Sequence, residues 1–263
     1  MTSPTRPIAP EDILLLAADA ARIVLESGGE TYRAEETAVG LASALDGVEA
    51  ECFATPTVIV LSFVGFDGKA HSIVRRVTRR SMHLERVARI DALTRRTRSG
   101  ELDFAGAAAE LDQVERMEGR PPLVSLLAAA AGTGFFTLLF GGAWNDALVA
   151  GAVGAGLSRL TRFFARRAIP DFVANLLGAA GATTLCLFAR SLGLATSADG
   201  TIIGVIMLLV PGVAITNAIR DTIGGDLVSG VSRGADAFMS AAAISIGAGG
   251  AYQLWNLLAG RAL

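Results

Sequence analysis

Between residues 211 and 236 the chain crowds side chains able to hold a small anion or pass a proton into a glycine-rich stretch. Asn217, Arg220 and Asp221 stand at i, i+3, i+4, on one face if the segment is helical. Pro211, just before them, interrupts the ladder of an apolar run. Gly224-Gly225 offers a second break, and if a helix restarts beyond it, Asp226, Ser229, Arg233 and Asp236 at i, i+3, i+7, i+10 form a second polar stripe. A guanidinium presents a fork that matches a carboxylate. Interrupted helices with aligned charge are one way in which transporters build substrate sites. The same spacing also fits a solvated connector whose Arg and Asp pair at little net energy. Asp171 and Asn175, at i, i+4 where another apolar run begins, fit either a helix cap or a proton or substrate pathway. Asn145-Asp146 precede a third such run.

Other chemistries find no support. His71 falls on an expected strand and His83 between elements, without a Cys or acid cluster at ligand spacing, so no metal site is expected. Cys52 and Cys186 are the two cysteines, and Cys186 sits in an apolar run, so neither a disulfide framework nor a paired metal-thiolate spacing is expected, which fits a reducing, cytoplasm-facing first half. Ser/His/Asp arrangements, phosphate-cradling loops ending in Lys-Ser/Thr and dinucleotide fingerprints are absent. We therefore expect no catalytic residue, no cofactor and no enzymatic activity.

The elements that position these residues divide into two environments. Of the 263 residues, 52% are hydrophobic and 18% charged, and the mean hydropathy is +0.49, outside the usual range of a simple soluble enzyme. Residues 1–121 hold 15 Lys/Arg and 19 Asp/Glu, whereas residues 122–263 hold 8 and 6. A net charge of −2 provides no basic field for nucleic acid, which is not expected as a partner. The first residues run into Glu11-Asp12 without the apolar stretch of a signal peptide.

Residues 1–120 read as an α+β cytoplasmic domain. Helical periodicity covers 11–27 and 31–45, ending at Gly28-Gly29 and near Asp46-Gly47. Runs at 49–54, 57–66 and 70–77 read as strands of a small antiparallel sheet, with a hairpin signal at Asp67-Gly68. The helical period returns at 84–98 and 103–117.

Residues 121–263 read as an all-α membrane domain. No charge falls between Arg120 and Asp146, and residues 123–140 suffice to cross ~30 Å of hydrocarbon. Residues 172–189, 200–219 and 237–260 pass the same test, and 144–164 spans if Arg159 and Arg162 snorkel. Five transmembrane helices are thus expected. Arg159, Arg162, Arg166 and Arg167 place the loop after the second span in the cytoplasm, and Arg220 and Arg233 agree. The N-terminus is then inside and the C-terminus outside the cytoplasmic membrane. Of 30 glycines, 21 follow residue 121, among them Gly132, Gly134, Gly151, Gly154, Gly156, Gly178, Gly181, Gly247, Gly249 and Gly250, places where helices can approach closely.

Two stretches resemble signature regions of the threonine/serine exporter family. Gly28-Gly29-Glu30-Thr31-Tyr32-Arg33-Ala34-Glu35-Glu36-Thr37, followed by Thr55-Pro56-Thr57, is similar to its Gly-Ala-Glu-Thr-x-Arg-x-Glu and Thr-Pro elements. Pro211-Gly212, Asn217-x-Ile219-Arg220-Asp221, Gly225-Asp226, Ser229-Gly230 and Arg233 resemble its membrane signature. Gly29 stands where Ala is usual, and Asp236 where Glu is expected. The resemblance covers about residues 11–260. It implies an exporter subunit of the split, five-span form, working in the lipid bilayer with a second, smaller membrane subunit. Its substrate would be threonine and serine or a dicarboxylate such as succinate, bound near Asn217, Arg220, Asp221, Asp226, Ser229, Arg233 and Asp236. The proton gradient would drive it, with Asp171 or Asp226 carrying protons, and a homo-oligomer could complete the path. Glu30, Thr31, Arg33 and Glu36 would gate or sense substrate, or else brace the cytoplasmic domain as helix-face pairs. A regulatory membrane subunit without flux of its own, and more remotely a membrane-embedded enzyme, are the alternatives.

Overall fold

The computed structural model describes residues 8–46, 49–65, 68–78 and 81–259. Gly47, Asp67 of the expected hairpin, the first seven residues and the last four lie outside them. The described residues form ten α-helices and one three-stranded sheet.

Two compact units divide the chain, one of residues 1–119 with 213–234, the other of 120–212 with 235–263. The division follows the change in composition at residue 120, except that the polar segment after Pro211 packs with the charged part of the chain.

The first unit is built on α1 (Pro10–Glu26) and α2 (Thr31–Asp46). Helix α1 carries Pro at its first position and Glu11 and Asp12 in its first turn, where the free N–H groups favour both. It buries Ile13, Leu14, Ala17, Ala21, Val24 and Leu25, the apolar positions read from the sequence, together with Leu16, Ala18, Ala20 and Ile23. The strands β1 (Ala50–Thr55), β2 (Val58–Val64) and β3 (Ala70–Arg76) form an antiparallel meander, with Phe53 opposite Val60 and Val60 opposite Val74. Ile59, Leu61 and Phe63 alternate inward on the central strand, as a half-buried sheet requires. Helices α3 (Leu84–Arg98) and α4 (Phe104–Glu115) complete the layer. Asp103 caps α4 by accepting from the Gly106 N–H at 2.8 Å.

The second unit contains α5 (Pro122–Leu139), α6 (Trp144–Arg166), α7 (Asp171–Ser191), α8 (Ala198–Ile206) and most of α10 (Leu227–Leu258). Large apolar side chains stand exposed all along it, including Leu123, Phe135, Leu139, Trp144, Leu148 and Phe188. Among the described residues, α5 and α7 are long and apolar enough to cross a membrane by length and composition. The expected fourth span at 200–219 is not one helix: α8 ends at Ile206, the chain turns, and α9 (Gly212–Ile223) begins beyond Pro211. The expected fifth span is the later part of the 32-residue α10, which starts in the polar segment.

Small residues seat these helices against one another. A Cβ on Gly154 would stand 2.3 Å from Thr133 Oγ1, and one on Gly247 only 2.2 Å from the Leu176 carbonyl oxygen. Gly134, Gly151 and Gly178 also face close neighbours, whereas Gly132, Gly156, Gly181, Gly249 and Gly250 face open space. Thr133 donates to the Ala129 and Ala150 carbonyls, and Thr137 to that of Thr133, so their buried hydroxyls are satisfied.

Candidate functional site

The turn from α1 to α2, residues 27–30, is where the two signature regions meet. Gly28 has φ +87°, a left-handed conformation that closes α1 and that glycine adopts without strain. Gly29 follows with no room for a side chain, since a Cβ would stand 2.5 Å from Val24 Cγ1. The alanine expected from the resemblance would not fit here without a shift of Val24.

Helix α9 and the first turns of α10 grip this turn. Asn217 donates its amide N–H to the Gly28 carbonyl at 3.0 Å. Arg233 donates to the Gly29 carbonyl at 2.9 Å and pairs through Nε with Asp221 Oδ2, also at 2.9 Å. Asp221 in turn accepts from the Thr31 backbone N–H at 3.4 Å and the Thr31 hydroxyl at 3.2 Å. It thereby places a carboxylate at the N-terminus of α2, where free N–H groups and the helix dipole favour negative charge. Glu30 bridges two cations: Arg33 at 3.1 Å and Arg220 at 2.5 Å.

The two ion pairs differ in environment. The Asp221 side chain is fully buried and that of Arg233 13% exposed, whereas that of Arg220 is 59% exposed. Burial raises the Asp221 carboxyl above the ordinary aspartate range, while Arg233 and the hydrogen bonds from Thr31 act against it and Asp226 reinforces it.

Asp226 closes the N-terminus of α10 by accepting from the Ser229 N–H at 3.2 Å. Its second oxygen and the Ser229 hydroxyl are buried without a partner among the described residues. Asp236 lies on the exposed part of α10. Glu36 lies elsewhere on α2. With Tyr32, Arg33, Asp91, Arg95 and Arg98 it lines a cleft of about 310 Å³ between α2 and α3.

Asp171 and Asn175 belong to the second unit. Asp171 is exposed in the first turn of α7, whose N-cap position is Pro170 with no side-chain cap, so it complements the helix end without capping it. Asn175 lies half-buried one turn on.

Sequence reasoning missed the other partners of the signature side chains, because the Gly28 and Gly29 carbonyls carry no side-chain signal and lie about 190–200 positions away. It noted Asp146 without its role. That carboxylate is 1% exposed and accepts from the backbone N–H groups of Ala143, Thr196 and Ser197 at 2.9, 2.6 and 3.1 Å. An acid ahead of an apolar run is the capping signal that points to it.

The family profile described as "Putative threonine/serine exporter" matches residues 15–255. The chain belongs to the threonine/serine exporter family. It is 28% identical over 240 residues to a "Probable threonine/serine exporter" of Mycobacterium tuberculosis, covering 89% of this chain and 45% of that protein. It is 25% identical over 274 residues to the "Threonine/serine exporter" of Corynebacterium glutamicum, covering 97% and 55%. It thus spans about half the length of these two relatives. With the "Probable succinate transporter subunit YjjP" of Escherichia coli it shares 24% identity over 241 residues, 89% of this chain and 91% of that one. No solved structure matches the chain. The contacts of Asn217, Arg220, Asp221 and Arg233 with residues 28–31 therefore join the two stretches on which the family resemblance rests.

Proposed function

We propose that this chain is a subunit of a cytoplasmic-membrane exporter of small carboxylate-bearing metabolites, threonine and serine or a dicarboxylate such as succinate. The observation that carries the reading is the state of Arg220. Its side chain is 59% exposed and its guanidinium pairs with the Glu30 carboxylate. A substrate carboxylate can exchange with Glu30 there without burying a new charge, whereas Asp221 and Arg233 are committed to holding residues 29–31. Export would then begin with substrate displacing Glu30 from Arg220, and Glu30 would fall back onto Arg33.

A bilayer setting is supported by the apolar helices α5 and α7 and by the exposed large side chains of the second unit. In this reading the chain crosses five times, through α5, α6, α7, the segment from α8 to Pro211, and the apolar part of α10. Residues 1–120 form the cytoplasmic domain and the C-terminus is outside. The likeness to a protein named a transporter subunit supports a second, smaller membrane subunit as partner. Proton coupling belongs to the same reading, with Asp171 or Asp226 as the carboxylate that carries the proton.

The test is efflux of labelled threonine, serine and succinate from loaded cells expressing this chain, with and without the smaller subunit encoded in the same genome. Export of at least one substrate that requires both chains bears the reading out. No flux of any of the three, with both proteins verified in the membrane, rejects it in favour of the second reading, a regulatory subunit. The intramolecular commitment of Asn217 and Arg233 would favour that alternative.

A further inference from the structure

Helix α6 carries Arg159, Arg162 and Arg166 at i, i+3, i+7, hence on one face of its last turns. All three line a groove of about 480 Å³ against the first turns of α5, whose other walls include Leu123, Leu126 and Phe163. No acidic side chain lines it, and none of the three guanidinium groups has an ion pair or hydrogen bond among the described residues. Leu123 is 64% exposed and Phe163 49%, so the apolar wall is open as well. A fourth cation, Arg167, stacks over the Phe163 ring with its guanidinium carbon 5.1 Å from the ring centre.

Three like charges on adjacent turns repel one another, and their approach is stabilised only by an anion from outside the chain. An apolar wall beside the cations selects an anion that carries hydrocarbon. We propose that this groove binds the headgroup phosphate of an anionic phospholipid, with Arg159, Arg162 and Arg166 on the phosphate and an acyl chain along Leu123, Leu126 and Phe163. Basic pockets between membrane helices on the cytoplasmic side hold such headgroups elsewhere. The inference rests on the membrane reading above. It adds a specific lipid site that ties the end of α6 to the start of α5.

The full chain, purified in a neutral detergent, is mixed with vesicles of phosphatidylcholine alone or with phosphatidylglycerol added, and bound lipid is read by flotation and native mass spectrometry. Wild type should retain phosphatidylglycerol in preference to phosphatidylcholine. The R159Q/R162Q/R166Q variant should lose about a hundredfold in that preference, at roughly fivefold per guanidinium near a membrane surface. Arg190→Gln, at the far end of α7, should retain it. Millimolar inorganic phosphate should not displace the lipid; displacement would assign the groove to a soluble anion and overturn the proposal. Flotation with phosphatidylcholine but no preference for the anionic lipid, or an unchanged preference in the triple variant, also overturns it while leaving the membrane reading intact. Failure to float with either vesicle rejects both.

Discussion

Arg220 and Arg233 look equivalent in the signature, yet breaking the ion pair that each one makes should cost very different amounts of stability. Asp221→Asn keeps the shape of the buried carboxyl and an oxygen for Thr31, but removes the charge facing Arg233 at 2.9 Å. Leaving one partner of a buried pair uncompensated costs about 3–5 kcal/mol. Arg220→Ala breaks a pair whose cation is 59% exposed, worth at most about 1 kcal/mol. For a chain of this size each kcal/mol shifts the melting temperature by roughly 2–4 °C. The expected losses are therefore about 6–20 °C for Asp221→Asn and under about 4 °C for Arg220→Ala. Thermal unfolding of the purified full-length variants in one detergent, with membrane abundance measured in parallel, reads both. Equal losses, or a larger loss for Arg220→Ala, would refute the division of labour between a holding pair and an exchangeable one.

Three further outcomes follow from the packing and the titrating groups. Burial raises the Glu35 carboxyl above its ordinary 4.5, although it accepts from the Ala54 N–H at 2.8 Å. Its contribution is complete at low pH and is lost as pH rises through the raised value, so Glu35→Gln should stabilise at pH 7.5 and gain nothing below 4.5, as pH-dependent melting will show. Gly247→Ala should cost about 1–3 kcal/mol, because its Cβ would meet the Leu176 carbonyl, whereas Gly249→Ala, which faces open space, should be near neutral by the same melting assay. Burial pushes the Cys52 thiol up to about 12, so iodoacetamide at pH 8 should leave it unmodified in the folded chain and label it on unfolding, as peptide mass mapping will show.

Much of the first unit was legible because its periods are clean. The stretch read as helical at 84–98 is α3 to the residue, the helix expected at 31–45 ends one residue later, and the three strand runs shift by only one or two residues. The break after Ile206 was not placed, because apolar composition is uniform across it and Pro211 marks only its far edge. Nor was the continuity of α10, since a polar first stretch and an apolar remainder look like two elements when they are one helix. Within the candidate site, i, i+3, i+4 spacing put Asn217, Arg220 and Asp221 on one face, and all three do reach the turn after α1. The pairing across that turn was not legible. Of the Arg–Asp pairing that a connector implies, Arg233 does pair with Asp221, but both side chains also hold residues 29–31, and Arg220 goes to Glu30. Contacts over about 190 positions are decided by the fold, and local spacing does not encode them.

In the proposed export step, substrate carboxylate and Glu30 compete for Arg220. The most direct test of this competition is the concentration dependence of efflux in Glu30→Gln and Arg220→Ala cells, with the smaller subunit present and variant levels in the membrane matched to wild type. Glu30→Gln should show a lower half-saturating substrate concentration, because the competing charge is gone, and Arg220→Ala should show no export. Undiminished export by Arg220→Ala would contradict the competition.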